Sequence, residues 1–177
     1  TEASHVGDLV TRLALSHPEV SFRFINNGQV KLHTSGNGNL KDVIYHIYGR
    51  EIASNLIEVD FERKGIHITG YLGKPLISRG NRNFENYFVD GRYIKSSIIS
   101  KAIEDGYKDF TMQHKYPFVV LYLDVDTEHV DVNVHPTKMD VRFNNQQEIY
   151  NTLFAAVEDG LHERELIPEV TLDDIKI

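Results

Sequence analysis

The chain has 177 residues, the length of one domain or of one domain with part of another, and 41% of them are hydrophobic, enough for a packed core. It contains no Cys, which excludes disulfides and thiolate metal sites and fits a reducing cytoplasm. The net charge of −7 argues against a strongly basic nucleic-acid binder, and no run of residues has the pattern of a membrane span or a secretory leader.

The distribution of charge matters more than its sum. Seven of the 26 acidic residues and two of the 19 basic residues lie from Glu158 onward, so the preceding residues carry a net charge of only −2. We therefore expect residues 163–177 to be the acidic start of a linker. The chain also begins without Met, at Thr1, inside a helical pattern, and we expect it to be a fragment of a longer protein.

A helix and a hairpin are predicted at the N-terminus. Apolar residues recur at helical spacing between residues 6 and 14, with Ser4 as the predicted N-cap, and Pro18 ends the helix. Strand-like alternation then leads into Asn26-Asn27-Gly28, a strong signal for a hairpin turn. These elements are too small to bury their own apolar faces.

Residues 34–39, Thr-Ser-Gly-Asn-Gly-Asn, favour no regular element and mark the predicted domain boundary. A Gly-x-Gly sequence can belong to a phosphate-binding loop, but this one lacks a third glycine and a Gly-Lys-Ser/Thr ending. We therefore interpret it as a linker, within which the boundary between the predicted domains 1–35 and 36–162 lies.

The second segment opens with a helix over residues 40–48, with Asn39 as N-cap and Gly49 at its end. Alternating residues then predict two strands around Lys64-Gly65. A second pair of strands flanks Asp90-Gly91, a dipeptide that tolerates the positive φ of a type I′ turn.

The remaining elements predict an α+β fold. A helix is entered through Ser96 or Ser97, and the continuous apolar run 118–123 predicts a strand buried on both faces. A last helix follows a cap at Asn144 or Asn145. The order from residue 40, α-β-β-β-β-α-β-β-α, predicts a two-layer sandwich of a mixed sheet and helices, preceded by the helix and hairpin.

Residues 130–143 carry the most specific pattern, Val-Asp-Val-Asn-Val-His-Pro-Thr-Lys-Met-Asp-Val-Arg-Phe. Apolar and polar residues alternate on either side of Pro136, which removes a ladder donor and fixes φ. The pattern predicts two extended runs with a stiff interruption between them. Lys138 would then stand at a rigid tip, where it offers three donors and a full charge on a long stem.

This stretch resembles the signature of the MutL family of DNA mismatch-repair proteins, Val-Asp-Val-Asn-Val-His-Pro-Ala/Thr-Lys-x-Glu-Val-Arg-Phe, with Asp140 where Glu is usual. In that family the lysine reaches the γ-phosphate of ATP held by an upstream ATPase domain. The resemblance therefore implies that Lys138 is the catalytic, ATP-contacting residue. The motif residues that would support it are Asn133, His135, Pro136 and Arg142.

The resemblance covers nearly the whole chain. Residues 13–22 are similar to the closing piece of the family's ATPase domain, and residues 78–82 and 88–92 to its Ser-Arg-x-Asn-Arg and Phe-Val-Asn-Gly-Arg segments. It implies that residues 1–35 end a GHKL-type ATPase domain. It also implies that residues 36–162 adopt the fold named for the second domain of a small-subunit ribosomal protein, shared with the transducer domains of type II topoisomerases.

Five basic residues lie between residues 79 and 101, against two acidic ones, Glu85 and Asp90. Such bases could follow a phosphate backbone without reading base sequence, and an ordinary solvated surface is the alternative. In some family members an arginine five residues after the Asn-Gly-Arg turn contributes to DNA binding, and here that position is Ser97. The predicted DNA-binding residues are Arg79, Arg82, Arg92, Lys95 and Lys101.

Other site chemistries have weaker support. His135 has no partner at metal-ligand spacing, so we predict no metal site and a hydrogen-bonded structural histidine. Asp131 and Asp140 could be general bases, but no nucleophile or phosphate loop lies near them in the sequence. They are better explained as partners of Arg142 or as turn caps, and the sequence contains no catalytic triad.

Two functional hypotheses remain: the second domain of a MutL-type ATPase clamp, and a stand-alone nucleic-acid- or protein-binding module of the same fold. Residues 1–33 favour the first, because a stand-alone module has no use for the tail of an ATPase domain. The resemblance implies that the parent binds ATP and Mg²⁺, which the fragment alone would not. It further implies a cytoplasmic, nucleoid-associated homodimer whose partners are DNA, the upstream ATPase domain and a MutS-type mismatch-recognition protein.

Overall fold

The structure is a computed structural model and describes residues 2–126, 130–131 and 142–165. Short 3₁₀ turns lie at Pro75–Ile77 and Arg82–Phe84. The helices and strands in chain order are α1 (Glu2–Ser16), β1 (Arg23–Asn26), β2 (Gln29–His33), α2 (Leu40–Tyr48), α3 (Arg50–Ala53), β3 (Leu56–Arg63), β4 (Ile66–Gly73), β5 (Glu85–Val89), β6 (Arg92–Tyr93), α4 (Ser97–Tyr107), β7 (Val119–Val125), β8 (Val130–Asp131), β9 (Arg142–Phe143) and α5 (Gln146–Glu165).

A five-stranded mixed sheet with the order β3-β4-β7-β5-β6 lies at the centre. The central strand β7 is antiparallel to β4 and parallel to β5. Its residues Val119, Val120, Leu121 and Leu123 are fully buried, which confirms the strand predicted from the continuous apolar run.

Helices cover both faces of this sheet. Leu121 and Leu123 point to the face where α4 and α5 pack, whereas Val120 and Tyr122 point to the face covered by α1 and α2. The Tyr122 hydroxyl donates to the backbone oxygen of Leu15 and so attaches α1 to the sheet. The predicted mixed-sheet α+β fold is confirmed, and α1 and α2 add a second helical layer to it.

Local capping and turn signals set many of the element boundaries. Asn39 Oδ1 accepts from the backbone N–H of Asp42 at 3.3 Å and begins α2. Asp90 and Gly91 take φ values of 48° and 81°, as a type I′ hairpin requires. The predicted N-cap Ser4 is wrong, because the described helix α1 already begins at Glu2 and Ser4 lies inside it.

The predicted linker is packed against the chain that precedes β1. Thr34 is buried, and its Oγ1 accepts from the backbone N–H of Phe22 at 2.8 Å. The Ser21 hydroxyl donates to the Thr34 carbonyl at 2.6 Å. Gly36 has a φ of 72°, and a Cβ there would lie 2.6 Å from the Ser21 nitrogen. Residues 34–39 therefore connect the β1–β2 hairpin to α2 through fixed contacts.

Several apolar side chains are exposed in the N-terminal segment. Leu9 of α1 and Ile25 of β1 are each about half exposed, at 55% and 51%. The other exposed apolar residues of this segment are Val6, Leu13, Val20 and Val30. No helix among the described residues has the length and apolar character needed to cross a membrane.

Candidate nucleic-acid interface

A cleft of about 880 Å³ opens beside β5. Its walls come from the start of β5, the first two turns of α4, the 3₁₀ turn at Arg82–Phe84 and the middle of α1. Three of the five predicted DNA-binding residues, Arg82, Lys95 and Lys101, line this cleft, and Arg79 and Arg92 do not. The structure thus brings together part of the predicted basic set.

Tyr87 holds the start of α4 against β5. Its hydroxyl accepts from the Ser96 N–H at 2.9 Å, donates to the Ser96 carbonyl at 3.0 Å, and lies 2.8 Å from Ser100 Oγ. Burial raises the pKa of Tyr87, so the phenol stays neutral and available for these bonds. Ser96 is itself the N-cap of α4, so the wall of the cleft that carries Lys95 and Lys101 is firmly placed.

The loop that carries Arg79 and Arg82 is also fixed. Arg79 and Tyr116 exchange two backbone hydrogen bonds of 2.7 Å each. The Arg79 guanidinium lies over the Phe84 ring at 5.0 Å, and that of Arg82 lies over the Tyr116 ring at 4.5 Å. Arg79 is half-buried, so only part of its side chain is accessible.

Two of the cleft bases are already paired with carboxylates of α4. Arg82 Nε donates to Glu104 Oε1 at 2.8 Å, and Lys101 Nζ donates to Asp105 Oδ2 at 2.9 Å. Hydrogen bonds from Tyr150 and then from Lys101 lower the pKa of Asp105, which therefore stays charged beside the lysine. A phosphate that binds Arg82 or Lys101 has to compete with these carboxylates.

Arg92 and Lys95 present the more available positive charge. Both side chains are exposed, and within the part of the chain that the structure describes neither has an ion-pair partner. They lie on either side of Tyr93, where the chain leaves β6 for α4. Of the five predicted DNA-binding residues, these two therefore present the positive charge that is least compensated.

Glu85, at the start of β5, is a buried acid in the cleft wall. It is only 7% exposed, and neither of its carboxylate oxygens has a hydrogen-bond partner. Burial, with a smaller contribution from the neighbouring Glu104 carboxylate, raises the pKa of Glu85 to about 8, and Arg82 partly offsets the effect. The side chain is thus predominantly a neutral carboxylic acid at pH 7.

Of the predicted ATP-contacting motif, the structure describes only the two ends, at residues 130–131 and 142–143. Lys138, Asn133, His135 and Pro136 lie outside the described residues. Strands β8 and β9 pair antiparallel, with Val130 opposite Phe143 and Asp131 opposite Arg142, so the intervening segment starts and ends at the same place on the fold. Phe143 is buried in the core with α4 and α5, which anchors that place to the domain.

Sequence reasoning missed the acids and the phenol of the cleft. The charge count stopped at residue 101, although Lys101 and Asp105 have the i,i+4 spacing of a helical ion pair. Arg82 and Glu104 are 22 residues apart, so no sequence spacing indicates that they pair. Among the described residues, no three His, Cys, Asp or Glu side chains form a group that could hold a metal ion.

Comparison with known proteins identifies the family. The family model described as DNA mismatch repair protein, C-terminal domain, matches residues 44–162, more than half of the chain. The MutL protein of Agathobacter rectalis is 59% identical over 173 residues. The chain belongs to the MutL family of DNA mismatch-repair proteins. The MutL protein of Clostridium acetobutylicum is 44% identical over 160 residues.

The chain spans about a quarter of the length of these MutL relatives. It covers 26% of each of these two proteins, while the matches include 98% and 90% of the chain itself. The predicted membership of the MutL family is therefore confirmed for this part of the relatives' length.

Solved structures support the MutL fold. The N-terminal domain of a DNA repair protein superposes with a TM-score of 0.76 at 21% identity, over 92% of this chain and 54% of that chain. The ATPase domain of the mismatch repair endonuclease MutL from Aquifex aeolicus superposes with a TM-score of 0.56 at 18% identity, over 87% and 51%. At these identities the likeness concerns the fold.

Proposed function

We propose that the chain is part of the ATP-driven clamp of a DNA mismatch-repair protein, in which Lys138 contacts the γ-phosphate of ATP. The observation that carries this proposal is the motif of residues 130–143 within a chain of the MutL family. Structural neighbours support it, since one is a MutL ATPase domain complexed with ADP, with a TM-score of 0.53. ATP and Mg²⁺ are the cofactors proposed for the longer protein.

The charge and the length of the Lys138 side chain suit it to a phosphate contact. A lysine ammonium is a compact charge on a flexible stem and suits a phosphate oxygen. The motif begins and ends at the paired strands β8 and β9, which tie it to a folded domain. A contact that strengthens as charge builds on the phosphoryl oxygens lowers the activation barrier.

The exposed apolar residues of the N-terminal segment support a neighbouring ATPase domain. Leu9 and Leu13 on α1 and Ile25 in β1 are all exposed. An upstream ATPase domain that packs on α1 and the hairpin would bury such side chains. That domain would also hold the nucleotide that Lys138 reaches.

Replacing Lys138 tests the ATP contact in the full-length protein. A charge-assisted hydrogen bond is worth about 1.5–3 kcal/mol, so Lys138→Ala should lower steady-state ATP hydrolysis by roughly ten- to a hundred-fold. Lys138→Arg should restore only part of the rate, because a planar fork replaces a compact charge. The exposed Lys115 provides a matched control, and Lys115→Ala should leave hydrolysis unchanged.

A thermal melt of each variant accompanies the rates. Lys138→Ala should keep the melting temperature of the wild type, because a lysine at the tip predicted from the sequence would contribute little packing. Hydrolysis at the wild-type rate, or a loss explained by unfolding, would contradict the role proposed for Lys138.

The same protein should bind DNA weakly and without sequence preference, through a surface centred on Arg92 and Lys95. Phosphate contacts made by Lys and Arg position a protein on DNA without reading the bases. Both residues are exposed and lack ion-pair partners among the described residues. The charges of Arg82 and Lys101, in contrast, are paired with carboxylates on α4. Arg79, Arg82 and Lys101 would therefore contribute less than the charge count alone predicts.

Salt titration of DNA binding by the full-length protein tests this surface. Each phosphate contact adds about 0.9 to the slope of log affinity against log salt, so Arg92→Gln with Lys95→Gln should lower the slope by up to about 1.8. Arg82→Gln with Lys101→Gln should lower it less, and the exposed pair Lys31→Gln with Lys41→Gln, outside the predicted set, should leave it unchanged. An unchanged slope for the first pair would place the DNA path elsewhere.

A further inference from the structure

The cleft beside β5 has a fourth base, Arg12, in addition to Arg82, Lys95 and Lys101. Arg12 belongs to α1, in the N-terminal segment, so the count of bases over residues 79–101 did not include it. Positive charge therefore reaches the cleft from two distant parts of the chain, one in each of the two predicted domains.

The packing of α1 on the sheet fixes the position of Arg12. Leu15, three residues later, is fully buried, and its carbonyl accepts the hydrogen bond from the Tyr122 hydroxyl of β7. The Arg12 guanidinium lies over the Tyr93 ring, with 4.3 Å between Cζ and the ring centroid. Because Tyr93 ends β6, Arg12 is held beside the segment of chain that leads to Lys95.

The stacked arrangement leaves the donors of Arg12 available. A guanidinium presents its flat face to an aromatic ring, while its five N–H groups point outward in its own plane. Asp8, one turn earlier in α1, lines the same cleft, but within the part of the chain that the structure describes no carboxylate forms an ion pair with Arg12. A phosphate oxygen can therefore accept from Arg12 without breaking an existing ion pair.

The balance of charge in the cleft favours an anion. Two of its four bases pair with acids of α4, and burial keeps the Glu85 carboxyl predominantly neutral. The two remaining bases, Arg12 and Lys95, are opposed by one acid, Asp8. The excess positive charge thus comes from two different elements, which suits a ligand that carries negative charge along its length.

We propose that this cleft extends the DNA surface of the protein onto α1, with Arg12 and Lys95 contacting the phosphate backbone of a duplex. The inference rests on the DNA binding proposed above for Arg92 and Lys95. A chain of phosphates suits the arrangement better than a single small anion, because the exposed Arg92 continues the positive charge outside the cleft. One DNA backbone would then contact both predicted domains and be positioned without any reading of its bases.

Salt titration of duplex binding by the full-length protein tests the contact. Arg12→Gln should lower the slope of log affinity against log salt by up to about 0.9, the value for one phosphate contact. Arg12→Lys should keep the slope, because it keeps the charge that releases a counterion. Arg23→Gln is the matched control, at an exposed arginine of β1 outside the cleft, and should leave the slope unchanged.

The slopes separate this inference from the proposed function on which it rests. A lower slope for Arg92→Gln with Lys95→Gln, beside an unchanged slope for Arg12→Gln, would overturn the contact on α1 alone. Unchanged slopes for both would overturn the DNA surface as a whole. A purely structural role of Arg12 would lower affinity alike in Arg12→Gln and Arg12→Lys at an unchanged slope, and that result would also overturn the contact.

A chemical footprint on the wild-type protein gives a readout that needs no variant. Phenylglyoxal reacts with accessible guanidinium groups, and mass spectrometry of the digested full-length protein reports the modified fraction of each arginine. A saturating DNA duplex should protect Arg12 and leave Arg23 reactive. Equal modification of Arg12 with and without DNA would overturn the proposal, as would protection of Arg12 by polyglutamate but not by DNA.

Discussion

At the scale of single residues, Glu85 shows how burial sets a protonation state. The carboxyl is held in the folded chain with a pKa near 8, because burial and the charge of Glu104 both disfavour its ionised form. In the unfolded chain the same group ionises near 4.5. Between these two values the folded state holds a proton that the unfolded state has released, so the free energy of unfolding falls as the pH rises.

Urea denaturation of this chain at pH 5 and pH 8 tests that linkage. Wild type should lose stability over this interval by at most about 1.4 kcal/mol per pH unit, and Glu85→Gln should remove that loss because an amide does not titrate. Glu51→Gln, at an exposed acid, is the matched control and should keep the wild-type dependence. The same pH dependence in Glu85→Gln as in wild type would show that Glu85 ionises normally.

Contacts between residues that are close in the chain leave a signal in the sequence, although the Lys101–Asp105 pair was not predicted. The pair of Lys101 with Asp105 follows from helical spacing alone. The pair of Arg82 with Glu104 depends on how a loop folds over α4, and the burial of Glu85 depends on the whole sheet. Such contacts become visible only when tertiary structure is known, which is why the five predicted bases looked equivalent.

At the scale of elements, caps and turns were predictable because their chemistry is local. Asn39 begins α2, Ser96 begins α4, and Asp90-Gly91 turns β5 into β6 as predicted. A cap for α5 was predicted at one of two neighbouring asparagines, and the structure selects Asn145, whose side chain accepts from the N–H of Glu148 at 3.2 Å. Each of these signals needs only a few consecutive residues.

Gly70 is an element-scale feature that the sequence pattern did not reveal. It lies within β4 at a φ of 122°, and a Cβ there would lie 2.1 Å from the backbone oxygen of Val120 in β7. Glycine inside a strand often marks such a close backbone approach, but its cause lies in a strand about 50 residues later.

Gly70→Ala should therefore destabilise the chain by more than about 3 kcal/mol, because the strain of the positive φ adds to a clash with backbone that cannot rotate away. Gly80→Ala is the control, since a Cβ at Gly80 has no atom within 4 Å. Urea denaturation of both variants gives the comparison. Similar stability for the two would mean that β4 and β7 are not held as closely as described.

At the scale of the whole molecule, the order of elements predicted the fold class but not the arrangement. Periodic patterns predicted the main strands and helices in chain order, without the short helix α3 and with two strands where β7, β8 and β9 lie, and the mixed-sheet α+β fold is confirmed. The strand order β3-β4-β7-β5-β6 depends on pairing between distant segments, which periodicity does not encode. The second helical layer was missed for the same reason, since α1 meets the sheet through Tyr122, far along the chain.

At this scale, ATP-dependent mismatch repair is the activity proposed for the longer protein. Family membership is established over residues 44–162, while the ATP contact of Lys138 and the DNA surface at Arg92 and Lys95 stay predictions. Residues 36–162, the predicted second domain, would link these activities, because they include both the motif between β8 and β9 and the basic residues after the start of β6. Loss of the lysine should then disable repair while the domain remains folded.

The spontaneous mutation rate of cells tests this claim most directly. In a strain whose own full-length gene carries Lys138→Ala, the mutation rate should rise to that of a strain that lacks the gene, because repair would lose its ATP-dependent step. A strain with Lys115→Ala should keep the wild-type rate. A wild-type mutation rate in the Lys138→Ala strain, at an unchanged level of the protein, would contradict the account.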